Sequence, residues 1–205
     1  MTLNQPFQHS PDALQSFNFS DFVEGSGVVK YYGVQSTNSS ATSYILTQKQ
    51  IYSDPIETAA LVDDTDLDFD LSPYSSPQIL EGTAIINYCI GSTNAAGSYS
   101  MAMTVTIKKV KGTTETTLVS TTAPAHGKNE KTIYCLQASI PRTSFEIGEF
   151  LRVTFTPDIT ADGESAGMGT DPYNRDGVTY LAPSSDDPVT TTKLEVYIPY
   201  EIDIE

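Results

Sequence analysis

The chain has no tryptophan, only two cysteines and only two histidines in 205 residues, and its 11 Lys and Arg stand against 26 Asp and Glu. Each shortage excludes something. A formal net charge of −15 leaves no basic stripe to neutralise phosphates, so no nucleic acid is expected as a partner. The same field disfavours anionic membrane surfaces. No apolar run approaches the roughly 18 residues that a bilayer span needs, so no membrane is expected either. The first residues, MTLNQPFQHSPDALQ, carry neither a basic nor an apolar leader segment, and the expectation is folding in a cytoplasm. In a reducing compartment Cys89 and Cys135, both in strand-like runs, are expected to be buried free thiols. Without CxxC spacing they do not form a zinc site.

The two histidines, His9 and His126, lie in unrelated segments, which does not suggest a catalytic triad or a three-ligand metal site. No HExxH, Walker loop or GxGxxG occurs, so the familiar zinc-protease and nucleotide-binding motifs are absent. On these grounds no cofactor and no metal is expected, and the chain is expected not to be an enzyme.

What is present is the chemistry of β-structure. Twelve Tyr, 8 Phe, 13 Gly and 12 Pro accompany many Thr and Ser, and β-branched and aromatic side chains suit a pleated surface. Strand-like runs begin at residue 44, with 44–52 reading as one strand. In "LVDDTDLDFDLS" (61–72), Leu67, Phe69 and Leu71 alternate with Asp66, Asp68 and Asp70, a half-buried strand with an acidic outer face. Clustered carboxylates also suit calcium, but carboxylates on an exposed strand face are usually only solvated. "QILEGTAIINYCIG" (78–91) is apolar on both faces, as a central strand would be. "STNAAG" (92–97) reads as a hairpin loop joining it to "YSMAMTVTIKKVKG" (99–112). "KTIYCLQASI" (131–140) reads as a strand stopped by Pro141, and 145–157 turns Leu151, Val153 and Phe155 inward. In 192–205, Leu194, Val196, Ile198, Tyr200, Ile202 and Ile204 share one face. Pro199 cannot donate to a ladder, so that strand is expected at an edge or bulged.

About seven to nine strands without a long helix predict an all-β protein, an antiparallel jelly-roll-like β-sandwich over residues 44–205. Residues 1–43 read differently. Phe17, Phe19, Phe22, Tyr31 and Tyr32 are scattered among Ser, Asn, Gln and Gly without a helical period. They are expected to form an N-terminal arm that packs on another surface, or else a strand and loop folded onto the same domain. Near the C-terminus "AGMGTDPYNRDGVTY" (166–180) only half matches a calcium loop, because Tyr173 stands where an acid or amide is needed. It reads as a contact loop, with Tyr173, Arg175, Tyr180 and the nearby Tyr197 as candidate interaction residues.

Two stretches carry a resemblance. Gly148, Leu151, Arg152 and Val153 form a "GxxLRV" pattern, and Leu194, Val196, Ile198, Pro199, Ile202 and Asp203 form "L.V.IP..ID". The chain from 44 onward resembles capsid decoration (cement) and head-fibre proteins of tailed bacteriophages. That resemblance implies a homotrimeric jelly roll on the outside of the virion, made in the host cytoplasm and bound to the major capsid protein lattice, with no catalytic residues. The alternative from the residues is a receptor- or carbohydrate-binding β-sandwich module of a viral fibre, tail or adhesin.

Overall fold

A computed structural model of the chain describes residues 26–36, 43–49, 58–93, 100–125, 131–160, 165–170 and 193–201. These form eleven strands: β1 (Ser26–Ser36), β2 (Ser43–Thr47), β3 (Thr58–Leu61), β4 (Leu67–Leu71), β5 (Gln78–Thr93), β6 (Ser100–Lys111), β7 (Thr114–Thr122), β8 (Lys131–Phe145), β9 (Phe150–Thr160), β10 (Ser165–Gly169) and β11 (Glu195–Glu201). No helix occurs among the described residues. The fold class is the all-β sandwich that the composition suggests.

The hydrogen-bonded order is β3-β10-β5-β11-β1-β2-β4-β9-β6-β7, and β8 also pairs with β5. β5 is bound along its length by β8, so β11 and β10 share its other edge in succession. The sheet is folded over. Tyr88 of β5 and Phe155 of β9 are not sheet neighbours, yet their rings meet edge to face at 5.4 Å. The two layers close on the far side as well, where Tyr134 Oη of β8 donates to the Pro124 carbonyl, 2.9 Å away, just past β7.

The core lies between the layers. Phe69, Met101, Met103, Ile107 and Phe155 come from one side, and Leu80, Ile86, Tyr88, Val196 and Ile198 from the other. Burying each such side chain contributes about 1.5–3 kcal/mol. The alternation of β6 is followed closely, with Met101, Met103, Val105 and Ile107 buried and the residues between them half-exposed. The central placement of β5 also matches its two-sided apolarity.

Several sequence expectations are corrected. Of the two readings of residues 1–43, the described part follows the strand folded onto the same domain: residues 26–36 are β1, which pairs with β11 on one side and β2 on the other. Both Tyr31 and Tyr32 are buried there. β1 shows no clean period because it is a central strand, and Gly33 leaves a gap in the pattern. That gap is required, since a Cβ at Gly33 would sit 2.2 Å from Leu194 Cδ2. The segment 92–97 does not join a hairpin, because β5 and β6 share no pairing and lie in different layers. Turn residues announce a change of direction but not the layer to which the chain goes. The strand expected over 44–52 is described only as Ser43–Thr47. Cys89 is buried and Cys135 exposed, and neither is in a disulfide.

Neither proline ends its strand. β8 runs on through Pro141, and β11 is an interior strand. Both prolines meet β5 in the same irregular stretch. The β5–β8 register shifts between Leu80 and Gly82, and the β5–β11 register shifts between Tyr197 and Glu201. A missing N–H costs nothing where the ladder is already interrupted. Gly82 takes φ +119 there, with Pro199 Cβ 3.3 Å from where its own Cβ would stand. The bulged alternative for Pro199 is the one realised.

Among the described strands all pairings are antiparallel except one: β2 and β4 run parallel. Parallel neighbours leave the sheet at the same end, and the segments that follow them emerge side by side. That geometry positions the site described next.

Candidate functional site

Two polar regions stand out. The first is the face of the β4-β9-β6-β7 layer turned away from the core. Arg152 grips Asp70 through two parallel N–H···O bonds of 2.6 and 2.7 Å. It also reaches Asp68 at 2.9 Å and pairs with Glu115. Lys108 lies 3.0 Å from Glu115 and 3.7 Å from Asp66. The hydroxyls of Thr154 and Thr156 donate to Asp68 and Asp66 at 2.7 and 2.6 Å. The row continues as Thr106 with Ser120 and Thr104 with Thr122. The acidic strand is therefore not simply solvated: it is zipped to the next three strands. Among the described residues no group of three or more His, Cys, Asp or Glu is placed to hold a metal ion. The Asp70 hydrogen bonds push the Arg152 guanidinium still further up, so its charge is permanent. Lys108 holds Glu115 below the usual carboxylate range.

The second region is a cleft of about 410 Å³ at the end of the parallel pair. Its lining includes Gln48 and Lys49, just past β2, Ser72, Tyr74 and Ser75, just past β4, and Tyr31 of β1. Leu46 and Leu71 add apolar surface. Below it three phenols form a chain. Tyr31 Oη lies 2.7 Å from Tyr200 Oη, which lies 3.0 Å from Tyr74 Oη. The side chain of Gln48 hydrogen-bonds Tyr31 at the near end. Burial holds all three hydroxyls above the usual tyrosine range, so they stay protonated.

Tyr74 is fixed from behind. Its N–H donates to the Glu149 carbonyl and its carbonyl accepts from Gly148 N–H, both at 2.9 Å. Its ring packs edge to face on Phe145 at 5.2 Å. Residues 146–149 form a β-turn closed by Glu149 N–H to the Glu146 carbonyl, with Gly148 at φ +85 in the third position. This is the type II arrangement, which calls for glycine there. The buried Glu149 carboxylate locks the turn by accepting from Glu146 N–H at 2.7 Å and pairing with Lys109 at 2.6 Å and Lys111 at 3.2 Å. Lys109 first, then the Glu146 N–H, pull the Glu149 pKa down to about 2.

Of the candidate interaction residues, Tyr31 reaches the cleft. Tyr32 and Tyr197 sit on the opposite face of β1 and β11. There Lys30 lies 3.3 Å from Glu195 and 4.6 Å from the Tyr32 ring centre, and Tyr197 Oη donates to Glu195 at 3.1 Å. Phe17, Phe19, Phe22, Tyr173, Arg175 and Tyr180 lie outside the described residues. Sequence reasoning picked out Tyr200 as a contact candidate but missed Tyr74 and the cluster that joins both to Tyr31. The available signal for Tyr74 was a lone aromatic in the Ser- and Pro-rich "LSPYSSPQ" (71–78).

No protein-family model and no curated protein matches the chain. Solved structures do. A CocE/NonD family hydrolase from Staphylococcus aureus aligns with a TM-score of 0.56 at 13% identity, over 86% of this chain and 37% of that one. An aminopeptidase from a marine sediment archaeon, Thaumarchaeota archaeon, aligns at 0.51 and 9% identity, over 82% of this chain and 36% of that one. The chain thus spans little more than a third of these hydrolases. A structure of infectious bursal disease virus aligns at only 0.24 and carries no argument. The expectation that the chain is not an enzyme is corrected by these matches, because its fold is one that hydrolases contain. At such identities the likeness shows the fold alone.

Proposed function

We propose that the chain is a structural β-sandwich of a virus particle, seated as a trimer on the outside of the major capsid protein lattice, where it stabilises the head. The observation that carries this reading is the zipped outer face. From Asp66 to Glu115 its charged groups bind one another across four strands, a stiff wall suited to a protein that works by holding its shape on a lattice. The motif residues behind the phage resemblance have framing roles that fit: Gly148 makes the turn, Arg152 ties β9 to β4 and β7, and Pro199 sits at the bulge. The acidic surface suits the exterior of a DNA-filled shell. Light scattering on the purified full chain tests the trimer. Three times the monomer mass supports it, and a monomer that adds nothing to the thermal stability of capsids removes it.

A second reading follows from the hydrolase matches. In it the chain is the β-sandwich part of a hydrolytic protein, acting with a catalytic portion. Its test is cleavage of amino-acid p-nitroanilides and p-nitrophenyl esters by the full chain, alone and mixed with lysate of its source. Turnover that co-purifies with the chain supports this reading.

A further inference from the structure

We infer that the tyrosine cleft is a binding site for a neutral carbohydrate of one or two rings. The inference goes beyond the structural role above and stands independently of it.

Three phenols carry three hydroxyl protons, and the chain Tyr31–Tyr200–Tyr74 has two O···O links. Each link uses one proton, so one O–H is left over: at Tyr31, at Tyr74, or on Tyr200 when both ends donate to it. Either atom of each link can be the donor, so the whole chain can reverse its direction. When the spare proton is at Tyr74, the other end at Tyr31 accepts from Gln48. When it is at Tyr31, Tyr74 presents an acceptor. Both ends belong to the cleft lining. The cleft therefore offers a hydroxyl that donates or accepts as the ligand requires, which is the complement of a sugar hydroxyl, itself both donor and acceptor.

The remaining lining points the same way. Leu46, Leu71 and the tyrosine rings offer apolar surface for the C–H face of a sugar ring, and Gln48, Ser72 and Ser75 add polar groups at the rim. Among the described lining residues only Lys49 is charged. A phosphate or sulfate ligand would face a single exposed cation within a protein of net charge −15, so a neutral ligand fits better. The volume, about 410 Å³, falls within the range of small-ligand sites, roughly 300–1,000 Å³. The cleft is also built rather than incidental: the turn at 146–149 holds Tyr74 by two backbone hydrogen bonds.

The test is saturation-transfer NMR on the full chain with glucose, galactose, N-acetylglucosamine, maltose and lactose, followed by titration of the strongest binder. Tyr74→Phe keeps the ring packing and removes one hydroxyl, while Gln48→Ala changes an exposed residue at the other end of the chain. Each is expected to weaken binding about tenfold, the effect of one lost hydrogen bond to a ligand. Tyr197→Phe, on the opposite face, is expected to leave it unchanged. No transfer to any of the five sugars overturns the inference. So does binding that Tyr74→Phe and Gln48→Ala leave intact, or that Tyr197→Phe weakens equally.

Discussion

The charged face and the tyrosine cleft are both polar clusters built from several strands, yet they differ in how their hydrogen bonds close. On the charged face, donors and acceptors are matched: Arg152 spends its fork on Asp70 and still reaches Asp68 and Glu115, and the threonines take up remaining carboxylate oxygens. In the cleft the phenol chain has one proton more than it has links. A closed network stiffens a fold, whereas an open one beside a cavity is ready for a ligand. The turn that holds Tyr74 is itself fixed by the Glu149 carboxylate, which also pairs with Lys109 and Lys111.

The deepest cut falls beneath both regions. Phe69 lies on the inner side of the acidic strand, against Tyr44 at 5.1 Å and Phe155 at 5.6 Å, and is fully buried. Phe69→Ala is expected to cost about 3–5 kcal/mol, read as a lower urea midpoint. An unchanged midpoint would mean that the core does not support the charged face as described.

Next comes the closed network itself. Arg152→Ala leaves Asp68, Asp70 and Glu115 facing one another, and a loss of about 2 kcal/mol is expected, discounted for partial exposure. Arg152→Lys is expected to recover little of it, since a single ammonium cannot reproduce the two-pronged grip on Asp70. Full rescue by lysine would reduce the network to a point charge.

The turn that holds Tyr74 is read by pH. Glu149 has its carboxyl lowered from 4.5 to about 2 in the folded chain. Its stabilising contribution is therefore fully present above about 4.5 and is lost as pH falls towards about 2. Acid unfolding of Glu149→Gln is expected to be flatter than wild type across that window, because this variant has no carboxyl there to protonate. Parallel curves would contradict the locked turn.

The smallest expected effect is on stability in the cleft. Tyr74→Phe removes one hydroxyl from an open chain, and about 0.5–1 kcal/mol is expected. A loss as large as that of Arg152→Ala would erase the distinction between the two networks.

How much of this the sequence disclosed follows from how local each signal is. The period-two pattern of Leu194, Val196, Ile198 and Tyr200 gave the correct inward face of β11, because alternation is a property of one strand. Pro199 announced an irregularity, and the bulge beside Gly82 is there. The central position of β1 was hidden, since Tyr31 and Tyr32 are buried on opposite faces and look aperiodic. The cleft was hidden further. It needs Tyr31, Tyr74 and Tyr200, which are 43 and 126 positions apart by number, and it depends on the parallel pairing of β2 with β4. Strand order is not written in periodicity, so neither could be read in advance.

The most direct test of the contrast is NMR of the full chain with ¹³C-labelled tyrosine rings, titrated with the tightest of the five sugars. The account predicts that the signals of Tyr31, Tyr74 and Tyr200 move together and saturate, while those of Tyr32 and Tyr197 stay in place. Shifts confined to Tyr32 and Tyr197, or no shift in the Tyr31–Tyr200–Tyr74 chain, would contradict it.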